Sequence, residues 1–102
     1  MGYRRPGEYI TIVRASRDDD RYPNTVRLRD GLSVKLKDTD DDPVDADVEI
    51  RLNGRRLGNK LKDLPVGSII SVVASYGQEY EIVLTDIHDD SETVTFGLRR
   101  RQ

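Results

Sequence analysis

The sequence predicts an all-β fold, a single antiparallel β-sandwich of about seven short strands. Three observations predict it. Apolar and polar residues alternate with period two through residues 26–52, the signature of strands with one face buried and one wet. Runs rich in β-branched residues recur along the rest of the chain, separated by Gly, Pro and Asp turn chemistry. Only residues 59–64 offer a helix candidate, and they are long enough for a single helical turn.

Residues 1–7, with Arg4, Arg5, Pro6 and Gly7, read as a flexible N-terminal arm, and residues 8–100 as one β-domain. The first strand is expected over residues 8–16, followed by a polar loop at 17–24 that carries Asp18, Asp19, Asp20 and Pro23. In the next stretch Val26, Leu28, Leu32, Val34 and Leu36 share the core face, while Arg27, Arg29, Ser33, Lys35 and Lys37 take the other. A two-residue Asp30-Gly31 turn would pair Arg29 with Leu32 and bring an arginine onto the core face. A three-residue loop of Arg29, Asp30 and Gly31, with Gly31 left-handed after a type I turn, instead pairs Leu28 with Leu32 and Val26 with Val34.

The alternation resumes with Ala46, Val48, Ile50 and Leu52 inward and Asp47, Glu49 and Arg51 outward. Consistent faces then require Leu36 opposite Val48, Val34 opposite Ile50 and Leu32 opposite Leu52, which sets Lys35 against Glu49 and Lys37 against Asp47. Such cross-strand charge pairs contribute about 0.2–1 kcal/mol each, whereas burying a large apolar side chain contributes about 1.5–3 kcal/mol. Burial holds the sheet, and charge helps select its register.

Residues 38–45, rich in aspartate, read as a loop too charged to bury, and residues 54–67 as an irregular connection punctuated by Gly54, Gly58, Pro65 and Gly67. Residues 68–75 are apolar on both faces and are expected as a central strand covered on both sides. The last hairpin places Tyr80, Ile82 and Leu84 on one face of residues 79–86, and Val94, Phe96 and Leu98 on one face of residues 93–99. Residues 64–72 (Leu-Pro-Val-Gly-Ser-Ile-Ile-Ser-Val) resemble the turn-into-strand approach of SH3-like and OB-like barrels, which keeps a small closed barrel as the alternative architecture.

Charged residues make up 35% of the chain, so its surface is dense in charge, yet the formal net charge of −2 argues against a surface that attracts nucleic acid or anionic lipid everywhere. The absence of cysteine excludes disulfides and thiolate metal sites. No apolar run approaches the roughly 20 residues of a membrane span, and no apolar segment follows Arg4 and Arg5 as in a signal peptide. A cytoplasmic location is the expectation, with no membrane contact and no cofactor.

Catalytic constellations are sparse. His88 is the one histidine, beside Asp86, Asp89 and Asp90, and neither a nucleophile elbow nor a phosphate-cradling glycine motif is present. Asp38, Asp40, Asp42 and Glu49 fall at ligand positions of a calcium loop, but Pro43 stands where that loop needs glycine, and strands flank it. A looser metal site from Asp40, Asp42 and Asp45, with Asp41 beside them, is the remaining calcium reading. Basic residues suggest a nucleic-acid face built from Arg27, Lys35, Lys37, Lys60, Lys62, Arg99 and Arg100, although aromatic stacking platforms are few. The leading expectation is a non-catalytic module that binds another protein, as an interaction domain, an accessory inhibitor or an assembly component. Its anchors would be Tyr22, Arg55, Arg56 and Tyr76, the exposed Tyr and Arg of its loops. An uncovered edge, such as that of the first strand, could also pair with its copy in a homodimer.

Overall fold

The computed structural model describes residues 9–101, so the expected arm at 1–7 lies outside the described residues. Among the described residues, nine strands form two antiparallel sheets: β1 (Thr11–Ser16), β2 (Thr25–Arg27), β3 (Leu32–Asp41), β4 (Val44–Leu52), β5 (Arg55–Arg56), β6 (Leu61–Leu64), β7 (Ile69–Val73), β8 (Glu79–His88) and β9 (Thr93–Arg100). One sheet runs β1-β9-β8-β7. The other runs β2-β3-β4-β5, with β6 also paired to β4. The sheets face each other as a sandwich and do not close into a barrel. Among the described residues, no helix is long and apolar enough to cross a membrane.

The core lies where the two apolar faces meet. Leu32, Val34, Leu36, Val48 and Ile50 come from one sheet and Tyr80, Ile82, Leu84, Val94, Phe96 and Leu98 from the other, all buried. Both hairpin registers around β3 follow the alternation: Val26 opposes Val34, Leu32 opposes Leu52, Val34 opposes Ile50, Lys35 opposes Glu49 and Leu36 opposes Val48. The Leu28 amide donates to the Leu32 carbonyl, which places those two leucines together as expected. The turn differs, however. Asp30 is left-handed as well as Gly31 (φ 52° and 82°), so this is the Asp-Gly turn with both central residues at positive φ, and the odd residue is absorbed at Arg29.

Beyond Leu36 the register shifts by one residue, so Asp38 and not Lys37 opposes Asp47. Parity explains the shift. Continued alternation would turn Asp38 and Asp40 into the core. The bulge instead points Thr39 inward opposite Ala46 and leaves the carboxylates on the outer face. The same device recurs in β8, where a shift between Leu84 and Asp86 returns Ile87 to the core opposite Val94. Because the bulge restores a tolerable pattern, the expected acidic loop is mostly strand, and only Asp42 and Pro43 turn between β3 and β4.

Two further expectations are corrected. Residues 59–64 form no helical turn: Leu61 and Leu64 pair with Val48 and Ala46 along the free side of β4, and satisfying that open ladder outweighs local helix propensity. Among the described residues, the one helical turn is a 3-10 turn at Ser75–Gly77. The apolar strand at residues 68–75 is not central. β7 lies at a sheet edge, with Ile70 and Val72 packed on the core and Ile69 and Val73 each 53% exposed.

A close approach on the outer face of the β1-β9-β8-β7 sheet depends on glycine. A Cβ at Gly97 would lie 2.6 to 2.8 Å from three atoms of the Tyr9 ring, so the absent side chain lets the aromatic cover the strand. Gly97→Val is therefore expected to destabilise the domain by about 1–3 kcal/mol in urea unfolding. In a Tyr9→Ala background, most of that loss should disappear. An equal loss in both backgrounds would show that the ring contact is not the cause.

Candidate functional site

The strand connections sort into two ends with different chemistry. At one end, the Asp30-Gly31 turn, the Asn53-Gly54 turn and the Ser75–Gly77 turn are tied together. Tyr80, buried in the core, donates through its hydroxyl to Asp30 at 2.5 Å, and Asn53 Nδ2 donates to Ser75 Oγ at 3.2 Å. The Asp30 carboxylate, which accepts from the phenol, holds the Tyr80 pKa above its ordinary value, with burial acting in the same direction.

At the opposite end lie the 17–24 loop, the β3–β4 turn and the β8–β9 loop. Arg17 pairs with Asp38 at 3.0 Å and Glu92 at 3.5 Å, and Thr39 donates to Asp89 at 3.1 Å. Ser16 Oγ accepts from the Asp18 and Asp19 amides and donates to the Ser91 carbonyl, which folds the 17–24 loop against the β8–β9 loop.

Of the four expected anchors, three sit at or near the first end. Tyr76 is fully exposed at the tip of the 3-10 turn, with φ 65° and ψ 17°, a left-handed backbone that is unusual for an aromatic residue. Arg55 and Arg56, both exposed on β5, follow the Asn53-Gly54 turn. Tyr22 lies at the other end and is half-buried. The guanidinium groups of Arg14 and Arg21 stand 5.9 and 5.7 Å from its ring centre, and its hydroxyl accepts from Arg14. Arg21 in turn grips Asp19, lowering that carboxyl to about 2.

The basic residues do not form one stripe. Arg27, Lys35 and Lys37 lie on the outer face of the β2-β3-β4-β5 sheet, with Lys60 and Lys62 at the β6 connection. Arg99 belongs to the opposite sheet, where its Nε donates to Glu81 at 2.7 Å, and Arg100 follows it. Arg27, Arg29 and Arg51 line an open groove of about 590 Å³ together with Ser33 and Asn53.

Several cations on that outer face are committed to one carboxylate. Glu49, its side chain 9% exposed, takes Arg51 at 3.1 Å, Arg56 at 3.6 Å and Lys37 at 3.8 Å. The expected opposition of Lys35 to Glu49 gave the register, while these three neighbours supply the ion pairs.

The acidic residues converge only in part. Asp40 and Asp45 are a cross-strand pair on the outer face, and Asp63 arrives from β6, carboxylate oxygens of all three lying within 4.8 Å of one another. Asp42 stays at the turn, outside that cluster, although it lines the same groove. The aspartates at 18–20 and 86–90 sit at this end too, but they do not join the three. Asp63 escaped sequence reading because its stretch looked like a helical turn, and only the β6–β4 pairing brings it near Asp45. His88 Nε2 lies 2.7 Å from Asp86 on the exposed surface.

No family model, no curated protein and no solved structure matches this chain.

Glu49 provides a pH test of the cation cluster. The Arg51 hydrogen bond, followed by the charges of Lys37, Arg51 and Arg56, holds its carboxyl below the ordinary value of 4.5 against the opposing effect of burial. A lowered folded pKa means that the ionised group contributes stability above the unfolded value and loses it as pH falls through the folded one. Glu49→Gln should therefore lower the urea midpoint at about pH 7, with the deficit shrinking steadily below about pH 4.5. An undiminished deficit at about pH 3 would trace the effect to packing instead of charge.

Proposed function

We propose that this is a non-catalytic protein-binding domain that receives an extended segment of a partner protein along the edge of β7, with Tyr76 as its principal anchor. The open edge carries the reading. Sheet edges expose unpaired backbone donors and acceptors, and proteins ordinarily blunt them with charge, proline or bulges. β7 reads Ile-Ile-Ser-Val-Val, with no charge and no proline, and among the described residues only β8 pairs with it.

Strand addition to such an edge draws affinity from main-chain hydrogen bonds and specificity from alternate side chains. Ile69 and Val73 offer the outward apolar contacts. Tyr76, just beyond them, is a rigid aromatic of the kind enriched at interface hot spots. Arg55 lies on the neighbouring connection, which the Asn53–Ser75 hydrogen bond ties to the Tyr76 turn. β1, the other edge of that sheet, carries Arg14 and therefore presents charge.

Affinity capture with the tagged domain, run with nuclease at moderate salt, tests this reading. A specific partner should bind wild type and be reduced by about tenfold or more by Tyr76→Ala and by Val73→Lys, while Tyr22→Ala at the far end leaves it unchanged. A partner retained equally by both β7-end variants would remove this edge from the interface. Recovery of nucleic acid alone, lost as salt rises, would move the function to the basic residues.

A further inference from the structure

Asp45 is a charged side chain in an unfavourable place. The residue is 6% exposed, its Oδ1 meets neither solvent nor a hydrogen-bond donor, and its carboxylate is aimed at those of Asp40 and Asp63. Among the described residues, no ion pair involves Asp40, Asp45, Asp47 or Asp63, although arginine and lysine abound elsewhere on the surface. A buried, unpaired carboxylate costs several times what a satisfied polar group does, and adjacent like charges add to that cost. The fold nevertheless brings Asp63 in from β6 to increase the negative charge. The Asp63 amide donates to Asp47 Oδ1 at 2.9 Å, which fixes β6 where its carboxylate joins the other two.

We propose that Asp40, Asp45 and Asp63 bind one calcium ion in the groove between the β3–β4 turn and β6. Carboxylate oxygens are hard donors, and no softer ligand lines the groove, which is formed by Asp40, Asp41, Asp42, Pro43, Val44, Asp45, Asp63 and Pro65. Coordination chemistry favours calcium over magnesium. Calcium takes about six to eight oxygens in a flexible shell, which suits carboxylates carried on three separate strands, whereas magnesium demands a near-ideal octahedron and gives up its waters reluctantly. The three carboxylates here fall within 4.8 Å. The groove, about 490 Å³ and open to solvent, leaves room for the waters that complete a six- to eight-oxygen shell.

The arrangement of charge points the same way: three carboxylates meet with no ion-pair partner among the described residues, a repulsion that a bound dication relieves. The ion would also clamp β6 onto the β3–β4 hairpin, since its ligands come from all three strands. This site lies at the end opposite Tyr76, so it stands or falls separately from the protein-binding reading.

The test uses the full chain stripped with chelator and then titrated with calcium or magnesium. Isothermal calorimetry should show one calcium per chain, and amide shifts in the proton–nitrogen spectrum should be centred on Asp40, Asp45 and Asp63. Saturating calcium should raise the melting temperature by on the order of 10 °C, reversed by chelator, with a smaller rise for magnesium. Asp63→Asn, at an exposed position, should fold normally in chelator and weaken calcium binding by about tenfold or more. Three results would overturn the proposal: no heat and no shifts at millimolar calcium, shifts centred on the 18–20 or 86–90 aspartates, or undiminished calcium binding by Asp63→Asn. Magnesium stabilising as strongly as calcium would overturn the assignment of the ion.

Discussion

The fold depends on two sheets presenting apolar faces to each other, and a strand can supply such a face only while its alternation stays in phase. One residue out of phase exchanges the core set for the surface set along everything that follows. Two bulges manage this constraint. In β3 the extra residue keeps Asp38 and Asp40 out of the core, and in β8 it returns Ile87 to it. With each large core side chain contributing about 1.5–3 kcal/mol, the interaction between the faces outweighs the surface ion pairs.

Outward phase has consequences for the polar residues as well. Glu49 is ringed by Lys37, Arg51 and Arg56 because the register puts it at the centre of a basic surface. A few residues along the same strand, Asp45 meets Asp40 and Asp63, and among the described residues none of the three makes an ion pair. One sheet face thus holds a neutralised carboxylate and a concentrated negative charge side by side. The turns at the Tyr76 end differ again, being tied by the Tyr80–Asp30 and Asn53–Ser75 hydrogen bonds instead of by ion pairs. Anchoring to a core tyrosine gives that end a rigid base from which Tyr76 projects.

A protein-binding edge and a cation-binding groove are compatible on one scaffold. The first, as proposed, would use backbone groups and apolar side chains at β7, and the second would use carboxylates that the β3–β4 hairpin and β6 bring together. Neither needs a catalytic group, and the exposed His88–Asp86 pair belongs to neither.

The amino-acid sequence by itself determined the all-β class, the core faces and most of the β2-β3-β4 register, because period-two burial is a local pattern and Asp-Gly chemistry marks its own turn. It also named Tyr76 among four candidate anchors, with Tyr22, Arg55 and Arg56, and Asp40 and Asp45 as possible ligands together with Asp42, which the structure leaves outside the cluster. Tertiary structure alone decided that residues 61–64 form a strand, since their helical look is a weak preference beside an open ladder on β4. It alone placed the doubly apolar Ile69–Val73 at an edge, since composition records how apolar a strand is and says nothing of which neighbours it obtains. And it alone brought Asp63 to Asp45, 18 positions apart in the chain, because proximity across a sheet follows from strand pairing, which no local spacing encodes.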